Sequence, residues 1–202
     1  EEEFSDLVNP KGKVVKMSKS RYIDDFFRTG AIQLGTIKYY QSIDDPEQGD
    51  SSEGSMLIVG KNDFETAFVQ IESGYNNYAF CCYDGEPNPE VIKRFGYNDY
   101  FIIHDVEGFM YEVSKVLNSN LSFRSRCIYK RDKVIVGKIS NNFNFNIMSN
   151  KLAQLVGMAK YFIKKNNYRH QNEYRFLWGL EFDVTQPLII KCPEAIKYCK
   201  RR

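Results

Sequence analysis

A short polar segment near the carboxyl end of the sequence combines an amide, a carboxylate and a guanidinium group. Gln171, Glu173 and Arg175 stand at every second position, where a polar stretch runs into an aromatic one. Side chains two residues apart lie on one face of an extended strand, so these three groups should lie side by side. A carboxylate placed there can hydrogen-bond a sugar hydroxyl while the amide orients a nucleophile. The alternative is an edge strand on which the Glu173–Arg175 pair lies in solvent and stabilises the fold little.

The order Gln171-Asn172-Glu173 resembles the Q-x-E form of the third motif of R-S-E-type ADP-ribosyltransferases. The resemblance implies that Glu173 is the catalytic carboxylate, which stabilises an oxocarbenium-like sugar, and that Gln171 helps to choose the acceptor. It also implies NAD as the substrate and a protein or a nucleic acid as the acceptor. Toxin or phage-defence biology is the setting that the resemblance suggests.

The same resemblance implies contacts to the dinucleotide. The first strand carries no arginine, so Lys16 or Arg21 would have to bind the phosphates, and a lysine does this as a point charge rather than as a planar fork. Tyr39 or Tyr40 could stack on the nicotinamide ring, and Arg175 completes the expected contacts. The alternative for the two tyrosines is that they occupy opposite faces of a strand.

A second resemblance covers roughly residues 14 to 180 and concerns an uncharacterised bacterial family. Its members carry an acidic D-x-x-E-G loop, a cysteine-containing strand, a helical lysine and an E-x-R strand. The matching positions here are residues 50–54, residues 79–82, Lys160 and residues 173–175. Residues 79–82 contain no hydroxyl where the transferases have Ser-Thr-Ser, so this strand provides no candidate for positioning the nicotinamide.

The charge distribution supports an alternative function. Residues 1–117 hold 11 Lys and Arg against 21 Asp and Glu, a net charge of −10, whereas residues 118–202 hold 17 against 5, a net charge of +12. A basic hairpin with aromatic residues between its cations could bind a nucleic acid without catalysis. The hairpin would use Phe123, Arg124, Arg126, Tyr129, Lys130, Arg131, Lys133 and Lys138.

A second alternative is a metal-dependent nuclease. Asp50 and Glu53 belong to an acidic loop whose carboxylates could hold Mg²⁺. The five cysteines lack CxxC spacing, and the two histidines form no metal-binding pair. The leading hypothesis therefore uses NAD and no metal.

The pattern of elements predicts one α+β domain over residues 1–202, with a mostly antiparallel mixed sheet, packed helices and a resemblance to the ADP-ribosyltransferase fold. Residues 1–12 and 193–202 are expected to fray or, at the carboxyl end, to form a short helix, and residues 44–54 are expected to form an exposed loop. Helices are expected near residues 20–29, 90–95, 105–117 and 150–163. Strands are expected near residues 31–37, 38–42, 56–59, 67–71, 78–83, 100–103, 173–178 and 187–191, with a hairpin formed by 123–129 and 134–139.

The composition excludes a disordered chain, since 43% of the residues are hydrophobic and 27% are charged. No apolar run approaches the roughly 18 residues that a membrane-spanning helix needs, and the first residues do not resemble an export leader. Free cysteines fit a reducing compartment. We therefore expect a cytoplasmic protein without a membrane partner.

Overall fold

The computed structural model of the chain describes residues 4–72, 75–142 and 157–202. The helices are α1 (Phe4–Leu7), α2 (Ser20–Thr29), α3 (Ile37–Ser42), α4 (Pro89–Arg94), α5 (Val106–Leu117) and α6 (residues 157–162), with 3₁₀ helices at Asn166–Gln171 and Pro193–Tyr198. The first strands are β1 (Val14–Ser18), β2 (Ala31–Thr36), β3 (Ser55–Lys61), β4 (Thr66–Glu72), β5 (Asn77–Asp84) and β6 (Asp99–Ile103). The remaining strands are β7 (Leu121–Arg126), β8 (Ile128–Lys130), β9 (Val134–Lys138), β10 (Ile163–Lys165), β11 (Glu173–Gly179), β12 (Leu188–Lys191) and β13 (Cys199–Arg201).

Local signals in the sequence set most helix boundaries. Gly30 ends α2 in the left-handed conformation, with φ of 76°, and the side chains of Asn88 and Asp105 cap α4 and α5. The predicted strand at residues 38–42 is wrong, because that segment is α3. The Thr36 hydroxyl accepts a hydrogen bond from the Tyr39 backbone N–H at 3.1 Å and starts the helix there.

The largest sheet is antiparallel and is organised around β5. One edge of β5 pairs with β11, which pairs in turn with β7. The opposite edge pairs with β2 at Tyr78 and Ala79, and with β1 at Tyr83 and Asp84. Strand β12 extends the sheet beyond β2, and β6 and β13 extend it beyond β1. The sheet is therefore forked at β5, and residues 80–82 lie between the two branches.

Two apolar clusters cover the two faces of the forked sheet. The larger cluster includes side chains of α2 and α5 together with Phe80, Phe176 and Trp178. The smaller one includes Ile37 of α3, Phe162 of α6 and Leu177. Together with the mostly antiparallel pairing, these layers confirm the α+β prediction.

The predicted hairpin is wrong, although its strands exist. Strand β7 pairs with β11, β8 pairs in parallel with β10, and β9 pairs in parallel with β3, which also pairs with β4. Residues 130–133, which form the expected turn, are charged residues of a kind that turns accept. The sequence therefore gives no local sign that each strand pairs with a distant partner.

The carboxyl end forms a short helix, one of the two expected outcomes, and then a strand instead of a frayed tail. Residues 193–198 form the 3₁₀ helix, and β13 then pairs with β6. The buried Ala195 belongs to the larger apolar cluster. Across residues 4–72, 75–142 and 157–202, none of the helices has the length and apolarity required to cross a bilayer.

Candidate functional site

A cavity of about 120 Å³ opens beside the fork in the sheet. Among the described residues, no strand pairs with residues 80–82 of β5 on the forked edge. The Lys16 ammonium group occupies this gap and donates to the Cys81 carbonyl oxygen at 2.9 Å. The cavity is lined by Lys16, Glu53, Cys81, Lys164, Gln171 and Glu173, among others.

Strand β11 brings the predicted carboxylate to this cavity. Glu173 lies at the start of β11, where its backbone N–H donates to the Tyr129 hydroxyl at 2.8 Å. Its two carboxylate oxygens accept from Arg175 Nε at 2.6 Å and from Lys164 Nζ at 2.7 Å. All three charged side chains are buried. The exposed edge-strand alternative is therefore wrong, because β11 lies between β5 and β7 and has no exposed ion pair at this position.

The Arg175 guanidinium joins Glu173 to the acidic loop. Its Nη1 and Nη2 donate to the two carboxylate oxygens of Glu53 at 2.7 and 3.2 Å, and Nη1 also donates to the Tyr161 carbonyl oxygen at 2.6 Å. Such a two-point contact fixes the orientation of the carboxylate as well as its distance. Two carboxylates and two cations thus form one buried cluster, which we call the charged cluster: Glu53, Lys164, Glu173 and Arg175.

Mutual attraction keeps Glu173, Lys164 and Arg175 ionised. Burial alone would raise the pKa of Glu173, but the charges of Arg175 and Lys164 outweigh burial and hold that pKa well below its usual range. Burial alone would lower the pKa of Lys164, but the charge of Glu173 raises it above its usual value. The pKa of Arg175 is raised in the same way by Glu173 and Glu53, against the effect of burial.

A hydrogen-bonded chain connects the charged cluster to the acidic loop a second time. Lys164 Nζ donates to Gln171 Oε1 at 2.8 Å, and Gln171 Nε2 donates to the Glu47 carbonyl oxygen at 2.8 Å. The Glu47 carboxylate lies 2.7 Å from His170 Nε2. The Gln171 amide is therefore committed to two neighbours and would have to leave one of them to orient an acceptor.

The acidic loop is less exposed than expected, since Asp50 and Glu53 are both buried. Asp50 Oδ2 lies 3.1 Å from Lys133 Nζ, and Asp50 Oδ1 accepts from the Ser52 hydroxyl at 2.6 Å. Burial would raise the pKa of Asp50, but the Lys133 charge lowers it below its usual value. Both proposed Mg²⁺ ligands are thus already paired with cations. Among the described residues, no group of three or more His, Cys, Asp or Glu side chains is arranged to hold a metal ion.

A larger cavity of about 430 Å³ adjoins the first one. Lys16, Tyr40 and Tyr97 line both cavities, whereas Tyr22 and Tyr39 line only the larger one. The two cavities together form a charged inner compartment and an aromatic outer compartment, and the Lys16 ammonium lies between them.

The structure brings most of the predicted site residues together. Glu173, Gln171, Arg175 and Lys16 line the inner cavity, and Tyr39 lines the outer one. Arg21 lines neither, because its guanidinium lies 4.6 Å from the centre of the Tyr22 ring on the exposed side of α2. The Arg175 guanidinium is engaged by the Glu53 and Glu173 carboxylates and by the Tyr161 carbonyl, so it supports Glu173 rather than presenting a free guanidinium to a phosphate.

Sequence reasoning missed Lys164 as a site residue. The Lys164-Lys165 pair is expected to end a helix, and the second resemblance points to Lys160 instead. Residues 157–162 are helical, but Lys160 does not line the inner cavity, and its ammonium lies 4.7 Å from the Tyr161 ring centre. The start of the predicted helix, residues 150–156, falls outside the described residues. A change from helix to strand at Ile163 is what turns Lys164 toward Glu173, and no sequence pattern marks that change.

The cations of the expected basic hairpin have other roles. Arg124 pairs with Glu107 at 2.5 Å, and Arg126 donates to the carbonyl oxygens of Asp6 and Asn9. These contacts also fix the amino-terminal segment, where fraying is expected. Lys133 is buried beside Asp50, while Lys130, Arg131 and Lys138 are exposed.

Comparisons of the chain with protein-family models, with curated proteins and with solved structures found no match.

Proposed function

We propose that this chain is an NAD-dependent ADP-ribosyltransferase in which Glu173 is the catalytic carboxylate. One observation carries the proposal: a buried, ionised carboxylate lines a cavity that adjoins a larger aromatic one, and a lysine lies between them. The inner cavity would hold the nicotinamide ribose and the outer cavity the rest of the dinucleotide. The acceptor would be a protein or a nucleic acid, as in a toxin or a phage-defence effector.

The reaction needs a negative charge beside the sugar. As the bond between ribose C1′ and the nicotinamide nitrogen breaks, the electron pair leaves with nicotinamide and positive charge develops on the ribose. A carboxylate that is already ionised and fixed stabilises that charge without reorganising. The acceptor nucleophile then forms the new bond to C1′ and releases its proton to solvent. Each Glu173 oxygen accepts one hydrogen bond from a cation and retains a lone pair for a sugar hydroxyl.

Lys16 would bind the phosphates. Its side chain is half-buried, and within the described part of the chain its ammonium donates to the neutral Cys81 carbonyl and lies 4.2 Å from the centre of the Phe80 ring. An ammonium group has three donors, so the carbonyl and the ring leave capacity for a phosphate oxygen. Tyr39 and Tyr97 line the outer cavity, where their rings could pack against a base.

The first experiment measures free nicotinamide after incubation with NAD and either a protein mixture or RNA. We expect turnover by the unaltered protein and a loss of about 100-fold or more in Glu173→Gln, since an amide cannot balance the positive sugar. Glu181→Gln changes an exposed residue just beyond the same strand and should keep full activity.

Glu173→Gln leaves Lys164 and Arg175 without their shared carboxylate and could misfold for that reason. A second variant therefore tests the proposal independently. Lys16→Gln changes a half-buried residue and should raise KM for NAD with a smaller change in kcat. Absence of nicotinamide release from the unaltered protein with every acceptor would refute the proposal. RNA binding that weakens steeply with salt, without NAD turnover, would instead favour the non-enzymatic nucleic-acid-binding alternative.

A further inference from the structure

Lys164 is a buried lysine whose position depends on an unusual strand pairing. Strand β10 pairs in parallel with β8, with Lys164 opposite Tyr129, and the lysine side chain is buried above the Tyr168 ring, 5.0 Å from its centre. Burying an ammonium group is costly unless anions and hydrogen-bond acceptors compensate. Lys164 must therefore be compensated by groups inside the cavity.

Two groups do so, and both belong to the Q-x-E segment. Lys164 Nζ donates to Glu173 Oε2 at 2.7 Å and to Gln171 Oε1 at 2.8 Å. Because an ammonium group can only donate, it requires the oxygen of the Gln171 amide to face it. The amide nitrogen is thereby turned to the Glu47 carbonyl, and the acidic loop is tied beside the cavity.

We propose that Lys164 is the positioning residue of this site: its ammonium group keeps the Glu173 carboxylate ionised and fixes the Gln171 amide that ties the acidic loop to the cavity. The catalytic meaning of this inference rests on the proposed function of Glu173. The effect on Glu173 ionisation does not depend on that function, and it can be measured without any substrate.

Arg175 serves both carboxylates of the charged cluster. Its guanidinium is shared, with Nε directed to Glu173 and both Nη atoms directed to Glu53. Without Lys164, one buried cation would face two buried carboxylates, and like charges at close range favour protonation of one of them. The other titratable groups that influence this cluster are Lys16 of β1, Tyr40 of α3, Cys81 of β5, Cys127, Tyr129 of β8 and Tyr168.

None of these groups replaces the missing charge. Burial raises the pKa of the Cys81 thiol to about 11, and it also raises the pKa of the Tyr129 hydroxyl well above its usual value. Both groups are therefore neutral near pH 7. Lys16 is the remaining cation, and its ammonium is directed to the Cys81 carbonyl rather than to Glu173.

The test is a carbon-13 NMR titration of the Glu173 carboxyl group in protein with labelled glutamate, assigned with Glu173→Gln. In the unaltered protein the Glu173 signal should show no protonation down to about pH 4, since opposite charges within hydrogen-bonding distance lower a carboxyl pKa by about one to three units. In Lys164→Gln the midpoint should rise by about that amount. Lys164→Arg retains the charge and should restore ionisation, although a planar fork fits the two acceptors less well.

Lys165→Gln is the matched control, since it removes the neighbouring lysine on the opposite side of the same strand. Its Glu173 titration should equal that of the unaltered protein. An unchanged Glu173 midpoint in folded Lys164→Gln would overturn the inference. If Lys164→Gln does not fold, nitrogen-15 NMR spectra of the unaltered protein provide the test. The Lys164 ammonium protons should exchange slowly with water and show contacts to Gln171. Rapid exchange of these protons would overturn the inference.

Turnover of NAD separates this inference from the proposed function. If both hold, Lys164→Gln should lower kcat by about tenfold or more with little change in KM, and the acid limb of its pH profile should move upward with the Glu173 midpoint. If the unaltered protein does not turn over NAD, the proposed function is wrong. The carboxyl titration still tests whether Lys164 keeps Glu173 ionised.

Discussion

The two faces of β11 have opposite chemistry. On one face Tyr174, Phe176 and Trp178 are fully buried against α5 and neighbouring aromatic rings. On the other face Glu173 and Arg175 are equally buried, but in the charged cluster. Strand alternation alone separates the two sets. At its start the strand thus has an apolar core on one side and a polarised cavity on the other, and further along the second side Leu177 belongs to the smaller apolar cluster.

The difference indicates which face serves a purpose other than stabilising the fold. Apolar burial is favourable at any pH and tolerates changes of similar volume. A buried ion pair contributes little net stability compared with an apolar replacement, yet removing one partner is strongly destabilising. Keeping four charges beside a cavity therefore fits a role in binding or chemistry better than a role in holding the fold together.

The largest expected effect comes from removing the shared cation. Arg175→Met should lower the free energy of unfolding by about 3–5 kcal/mol at pH 7, because Glu53 and Glu173 then remain buried without their common guanidinium. Urea unfolding followed by circular dichroism measures the loss. The loss should shrink in acid, where Glu173 without the Arg175 charge can accept a proton.

Arg131→Met removes an exposed arginine and should change the free energy of unfolding by less than about 0.5 kcal/mol. An Arg175→Met variant as stable as Arg131→Met would mean that the charged face behaves like the apolar one, and the contrast between the two faces would disappear.

Acid should distinguish the two faces next. The pKa of Glu173 is lower in the folded chain than in the unfolded one, because the Arg175 and Lys164 charges outweigh burial, and the pKa of Asp50 is lowered beside Lys133. Such groups stabilise the fold fully above their unfolded pKa, about 4, and lose that contribution as the pH falls. Unfolding free energy should therefore decrease below about pH 5, with Glu173 contributing up to about 1.4 kcal/mol per pH unit.

Phe176→Leu provides the comparison on the apolar face. It should lower the free energy of unfolding by about 1 kcal/mol at every pH, leaving the acid slope unchanged. Glu173→Gln should instead flatten the slope. Equal slopes in Glu173→Gln and the unaltered protein, measured by urea unfolding between pH 3 and 7, would contradict the lowered pKa.

The apolar face could be predicted further from sequence than the charged face. The strand beginning at Glu173, the helix capped by Asp105 and the α2 helix ended by Gly30 all follow from local patterns, and all are confirmed. The grouping of Gln171, Glu173 and Arg175 also follows from alternation. Local pattern decides these features because the residues that cause them are near neighbours.

The partners of the charged face could not be predicted in the same way. Glu53 and Arg175 are 122 positions apart, and the contact between them depends on the full topology. Lys164 reaches Glu173 only because β10 pairs with β8, a parallel pairing that no turn signal announces. The same limitation explains the wrong hairpin, whose strands pair with β3, β10 and β11 instead.

The smallest expected effect concerns the adjacent cysteines of β5, which divide between the two faces. Both cysteines contribute to the lining of the inner cavity, but Cys81 is opposite Arg175 and half-buried, whereas Cys82 is opposite Tyr174, buried, and belongs to the larger apolar cluster. Burial, with the charge of Glu173 adding to it, raises the pKa of the Cys81 thiol to about 11. Its alkylation by iodoacetamide should therefore accelerate by roughly tenfold per pH unit from pH 7 to 10 without the plateau of a free thiol near 8.5. Peptide mass spectrometry, with Cys81→Ser as the control, should find Cys82 unmodified in the folded protein. Equal labelling of the two cysteines would show that the two faces are not separated at β5.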